Sequence, residues 1–317
     1  MSGLYISLVI VFALAVLFGW LAYKAFKSPR GWVKWLGGIL ASLLTLVFAV
    51  VAIAGAYGTY KMNRKVTVAM PQQVEIAGTR DQVARGEQIS LRLCVGCHST
   101  NDELPLTGGK NMSDDAGMPL GKIYSANLTP AGEIASWSDE DLFRVIRTGV
   151  DNTGRVTAMA SFLGVQALSD EDVLAVIAYL RQSKPVDAEW PEYSPSLLTA
   201  VLGAAGFVAN DAPAEITPIT APPKAATAEY GKYVMDYMEC SSCHGEQLDG
   251  VVPPPFPAGP DIRPLISSIS TADFLHLIEA NAAKSTPDDI MIWKTLNRLD
   301  DVEKEALFLY LQEFVGQ

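Results

Sequence analysis

Acidic side chains are missing from the first 65 residues, which nevertheless hold seven basic ones: Lys24, Lys27, Arg30, Lys34, Lys61, Arg64 and Lys65. Charge is scarce overall, at 19% of 317 residues, and so are cysteine and histidine, with four and three copies. No nucleophile–base pair, Gly-rich phosphate loop or further metal-type cluster is recognisable, so nothing in the chain marks out a substrate pocket. Residues 66–317 carry the remaining 17 of the 24 basic residues against all 35 acidic ones. So acidic a body argues against nucleic acid, whose phosphates need Lys and Arg, and for partners with basic docking faces. The length suggests about two domains, and the positive mean hydropathy suggests a small membrane part beside a large polar one.

Two long uncharged runs supply that membrane part. Residues 4–23 are almost continuously apolar, and a second run lies between Lys34 and Lys61, centred on residues 36–57. At about 1.5 Å per residue, 20 helical residues cross a hydrocarbon core of about 30 Å. A cleavable signal peptide is the competing reading of the first run. It would carry a basic leader and a shorter apolar stretch, and no second span would follow it. Residues 1–65 therefore read as a transmembrane two-helix hairpin. The four basic residues between positions 24 and 34 put its turn in the cytoplasm, with both ends outside, although Lys61, Arg64 and Lys65 on the outer flank pull the other way. Gly37 with Ala41, and Ala54 with Gly58, have the spacing that lets helices approach closely.

All four cysteines fall in two copies of one motif, Cys94-Val95-Gly96-Cys97-His98 and Cys240-Ser241-Ser242-Cys243-His244. C-x-x-C-H is the covalent haem c attachment pattern: two thiols bond one porphyrin edge, and the next histidine reaches the iron. A zinc site would need its Cys pairs much closer in sequence, and a redox dithiol would not need His directly after it twice. Structural disulfides stay open on composition alone, but two identical five-residue motifs do not resemble them. The reading is two covalently bound haem c groups.

An internal repeat then points to the remaining iron ligands. Gly86 and Gly231 precede the two motifs by eight and nine residues, and two amphipathic helices follow each motif, at 138–147 and 169–182, then at 271–280 and 300–314. Val173, Ile177 and Leu180, and Ala306, Leu309 and Tyr310, have helical apolar spacing. Ser169-Asp170-Glu171-Asp172 reads as a helix cap. Setting Tyr179-Leu180 against Tyr310-Leu311 puts Met159 20 residues before the first tyrosine and Met291 19 before the second, where a thioether suits an open axial site. Met112 and Met118 come too soon after His98, and Met235 and Met238 read as core residues. His276 aligns with Arg144 on a polar face and reads as exposed or at a haem edge.

Residues 85–182 closely resemble the membrane-associated cytochrome c subunits of bacterial alcohol, sugar-acid and aldehyde dehydrogenases. The likeness lies in the first haem motif, Ile123-Tyr124-Ser125-Ala126-Asn127-Leu128-Thr129-Pro130, Trp137-Ser138-Asp139-Glu140-Asp141, Arg147-Thr148-Gly149-Val150, Met159 and Leu168-Ser169-Asp170-Glu171-Asp172. Ala178-Tyr179-Leu180-Arg181 completes it. The second unit matches only the generic pattern of the haem motif, Met291 and Tyr310-Leu311. This chain has two haem motifs where those subunits usually have three, and Ala160 where Pro commonly follows the ligand Met.

The resemblance implies two class I cytochrome c domains, at 81–184 and 228–317. With the N-terminal hairpin, which departs from the anchor those subunits tend to have, a stalk at 66–80 and a Pro-rich linker at 185–227 with a short apolar segment, the expected fold is all-α. The resemblance implies axial ligation by His98 with Met159 and by His244 with Met291. It also implies a proline carbonyl orienting each histidine: Pro105 in the first unit, and Pro253, Pro254 or Pro255 in the second. Asn127-Leu128-Thr129 then belongs to the haem-edge loop and is not a glycosylation acceptor. Trp137 and Trp293 read as packing residues. The implied function is single-electron transport on the periplasmic side of a bacterial inner membrane, between a membrane or periplasmic donor and a further acceptor. Two spans are more than an anchor needs, which suggests docking into the integral subunits of a larger respiratory or photosynthetic complex. The alternative is a dihaem peroxidase-like enzyme with one open iron.

Overall fold

The chain is known from a computed structural model that describes residues 2–70, 74–161, 163–207, 212–253, 258–286, 289 and 291–316. Helix α1 (Ser2–Phe26) and helix α2 (Gly38–Asn63, entered through a π turn at Val33–Gly37) run antiparallel as a hairpin. Small residues let them approach: a Cβ on Gly38 would lie 2.8 Å from the Phe26 ring, and one on Gly55 2.8 Å from Leu8. Phe18 stacks on Phe48 between them, with centroids 5.5 Å apart. Both helices are long and apolar enough to cross a membrane, and only 11% and 17% of their most apolar windows are buried. A core helix would be mostly covered, so this surface is suited to lipid.

The first haem-motif unit starts with α3 (Arg80–Ile89), capped by Thr79, whose hydroxyl accepts from the Gln82 amide at 3.2 Å. It passes through a π turn (Ser90–Cys94) into α4 (Val95–His98). Helix α5 (Asp139–Thr148) opens with a reciprocal cap between Ser138 and Asp141, and α6 (Asp170–Gln182) opens on Ser169. These starts agree with the sequence to within a residue, because side-chain oxygens of Ser and Thr satisfy first-turn amides that nothing else reaches. Helices α3 and α6 cross at Gly86, where a Cβ would sit 1.8 Å from the Ala175 carbonyl oxygen. Val173 and Ile177 are fully buried beneath the crossing.

The linker packs back on the first unit. Asn127 donates to the carbonyls of Val186 (2.9 Å) and Ala188 (3.3 Å), and Trp190 Nε1 donates to that of Thr107 (2.8 Å). Strand β1 (Gly121–Lys122) pairs antiparallel with β2 (Ser194–Pro195). Helix α7 (Leu197–Ala204) then docks on α2 at Gly58, where a Cβ would lie 1.6 Å from the Ala200 carbonyl oxygen. The small residue at 58 thus serves a contact with the linker.

The second unit repeats the pattern of the first. Helix α8 (Ala228–Tyr237) leads to α9 (Cys240–His244), followed by α10 (Arg263–Ser268), α11 (Thr271–Ala282) and α12 (Asp301–Val315). Helices α8 and α12 cross at Gly231, where a Cβ would lie 1.9 Å from the Ala306 carbonyl and 2.8 Å from the Tyr310 Cβ. The Ala and Tyr partners are the residues that the repeat aligns with Ala175 and Tyr179.

A buried ionic network joins the units. Arg85 grips both carboxylate oxygens of Asp172 at 2.8 Å and donates to Glu303 at 2.6 Å, while Arg92 takes the other Glu303 oxygen. Tyr233 donates to Asp172 at 2.6 Å, and Arg298 donates to the carbonyls of Leu91 and Asp102 at 2.8 and 2.6 Å. Asp172 and Glu303 sit at matching positions, each with its amide bonded to the cap of its helix.

Candidate haem-attachment sites

Cys94, Cys97 and His98 lie on one stretch of π turn and helix, so the chain itself brings two thiols and an imidazole together. Cys240, Cys243 and His244 do the same on α9. All four cysteines are unbonded to one another. Burial pushes the Cys94 and Cys240 thiols up to about 12, and burial also raises Cys97. They suit a site whose sulfurs end as thioethers.

Each histidine is oriented by a backbone carbonyl, which can only accept, so Nδ1 carries the proton and Nε2 is left free for a metal. His98 Nδ1 donates to the Ala126 carbonyl at 2.9 Å, and His244 Nδ1 to that of Pro260 at 2.9 Å. Burial lowers the His98 pKa, and the Ala126 bond opposes that shift. The carbonyls differ from those expected. Pro105 O accepts instead from the Thr107 amide (2.9 Å), closing its own turn. Pro253 does not hold His244, and Pro254 and Pro255 lie outside the described residues. The loop after each motif returns at a later residue than its first proline, and the carbonyl presented there does the work. In the second site Gly259 makes room, since a Cβ there would lie 2.9 Å from His244 Nδ1.

Met159 stands half-buried on a 3-10 turn (Ala158–Ser161), presented by groups the sequence motif contains but does not explain. Gly149 ends α5 with φ of 72°, and a Cβ on it would meet the Ala160 amide nitrogen at 2.2 Å. Buried Arg147 then ties down the return loop, donating to the carbonyls of Gln166 (2.6 Å) and Leu168 (2.9 Å) and to Asp170 (2.6 Å). Gln166 donates in turn to the Met159 and Ala160 carbonyls at 3.3 and 3.2 Å. Met291 is half-buried against the core of the second unit, and its carbonyl accepts from Trp293 N at 2.9 Å.

The rival ligands fall where the sequence put them. Met235 and Met238 are core residues, His276 is exposed, and Trp137 and Trp293 pack on the core. Asn127 is fully buried in its linker contact. Sequence reasoning missed Arg85, Arg92 and Glu303, whose partners lie some 200 positions apart and leave no local spacing to read.

The donor set, the free Nε2 atoms and the crowded Gly259 cradle fit a covalently bound haem c. A C-x-x-C-H turn beneath a crossed helix pair defines a c-type cytochrome. Residues 81–180 match the family described as cytochrome C oxidase, cbb3-type, subunit III, and this stretch is a cytochrome c domain. The chain is 31% identical over 121 residues to the cytochrome c subunit of a quinone alcohol dehydrogenase from Gluconobacter oxydans, covering 34% of this chain and 24% of that one. It is 39% identical over 104 residues to the cytochrome subunit of fructose dehydrogenase from Gluconobacter japonicus, covering 31% and 21%. The matched stretches thus span about a quarter or less of each relative.

Proposed function

We propose that the chain is a membrane-anchored dihaem cytochrome c that carries single electrons as a subunit of a larger oxidoreductase assembly. The observation that carries this reading is the repeat. The haem motif, the glycine crossing against an alanine carbonyl and the carbonyl-held histidine all recur in residues 228–317, which we read as a second cytochrome c domain. Cys94 and Cys97 would hold one haem, with His98 and Met159 as axial ligands. Cys240 and Cys243 would hold the other, with His244 and Met291. Held by these residues, haem would supply reversible one-electron oxidation and reduction. The protein's part is to fix the histidine tautomers, exclude water with buried aliphatic residues, and hold the two units together through Arg85, Arg92, Asp172 and Glu303.

The names of the relatives support a dehydrogenase as the electron donor. The hairpin, with its basic turn at Lys24, Lys27, Arg30 and Lys34, supports anchoring in a bacterial inner membrane with the haem units on the periplasmic side. The net acidity of residues 66–317 suits an acceptor with a basic face. The mass of the denatured protein tests the haem count. Wild type should retain two covalent haems and Cys240→Ser/Cys243→Ser one, whereas a single haem in wild type would contradict the proposal.

A further inference from the structure

The short linker helix α7 is joined to the hairpin, yet Leu198 on it and Phe207 just after it are left exposed. Residues 194–208 contain no charged side chain, and a helix within so short a stretch cannot span a bilayer. Thr199 and Ala200 are fully buried, the first donating to the Leu120 carbonyl of the haem unit and the second pressed on Gly58 of α2. Ser196 N also donates to Leu120 O at 2.8 Å. Leu197 packs with Leu4 and Leu8 at the start of α1. Leu198 is 36% and Phe207 53% exposed, and Tyr5, Ile6, Val9 and Tyr57 are exposed on the two hairpin helices that α7 contacts. Tyr60, Trp190 and Tyr193 are also exposed in the segments around this joint, and such amphipathic rings favour the headgroup level.

We infer that α7 is a third membrane element, lying in the plane of the outer leaflet with Leu198 and Phe207 among the lipid chains. The inference rests on the reading of the hairpin as membrane-spanning. An uncharged helix of this length beside lipid-facing helices has its apolar face at the depth where interfacial helices bind. The joint has three parts: lipid below, the hairpin at Gly58, and the first haem unit at Leu120. It therefore sets the first unit against the membrane surface, and the second unit hangs from the first through the Arg85–Glu303 network.

Photo-crosslinking tests this on the full haem-loaded protein in bilayers of phosphatidylcholine carrying an acyl-chain diazirine. After irradiation and digestion, lipid adducts should appear on α1, on α2 and on the segment 194–207, and not on α11 or α12. In Leu198→Asp/Phe207→Asp, adducts on 194–207 should fall by about tenfold with the hairpin yields unchanged, because a charged carboxylate is strongly disfavoured among lipid chains. Both positions are exposed, so this variant keeps the fold. Adducts on the hairpin with none on 194–207 would overturn the inference and leave the membrane reading standing. No adducts on the hairpin would overturn both.

Discussion

Glu303 has no exposed side-chain surface, and two arginines from the other half of the molecule meet its carboxylate. Burial alone would raise its pKa, but Arg92 and Arg85 overcome that and hold it below the usual carboxylate range. Asp172 is lowered against burial in the same way by Arg85. Removing one partner of a buried pair leaves a stranded charge, at a typical cost of about 3–5 kcal/mol. Glu303→Ala should therefore lose stability on that scale in denaturant titration. Asp172→Ala should lose less, because Arg85 is 20% exposed and can still reach water and Glu303. A carboxylate whose folded pKa is depressed contributes stability that is complete above the unfolded value of about 4 and is lost as pH falls through the folded one. The contact between the units should be unchanged across neutral pH and loosen only in acid, read as faster hydrogen exchange at the start of α12. None of this is legible in the sequence, where Arg85, Arg92 and Glu303 look like ordinary surface charges. The cysteines and histidines of the two C-x-x-C-H motifs are legible because covalent haem attachment demands a fixed local spacing.

Helices are legible wherever a cap and an apolar period coincide. Ser138, Ser169 and Asp300 each open the helix expected of them, since capping is decided by neighbours three residues away. The histidine carbonyls are not legible, because they depend on where a loop comes back, which Gly108, Gly109 and Gly259 control through space and not through pattern. The two glycine crossings give the sharpest test at this scale. Gly86→Ala and Gly231→Ala each put a methyl within 2 Å of a carbonyl oxygen, so the helices must part. Overpacking of this kind costs about 1–3 kcal/mol, and a lowered thermal midpoint in both variants would check it. Equal penalties are expected, because the second crossing repeats the first. A neutral Gly231→Ala would mean that the second unit does not share the design of the first.

Over the whole molecule, composition orders the stretches of the chain: an uncharged hairpin, a first unit with one C-x-x-C-H motif, a Pro-rich connector, and a second unit with another. The connector's role does not follow from composition. It folds along the first unit, adds a strand pair and returns to the hairpin, so the chain is tied to its own N-terminal helices a second time. That closure depends on contacts between residues 58 and 200, which no local pattern reveals. The central claim is two closed haem sites, and near-infrared absorption of the ferric protein tests it most directly, with wild type beside Met159→Ala and Met291→Ala. A sulfur-to-iron band of two-haem intensity, halved by each substitution, is the predicted result. A high-spin haem in wild type, or a substitution that leaves the band untouched, would contradict the account and favour a peroxidase-like enzyme with an open iron.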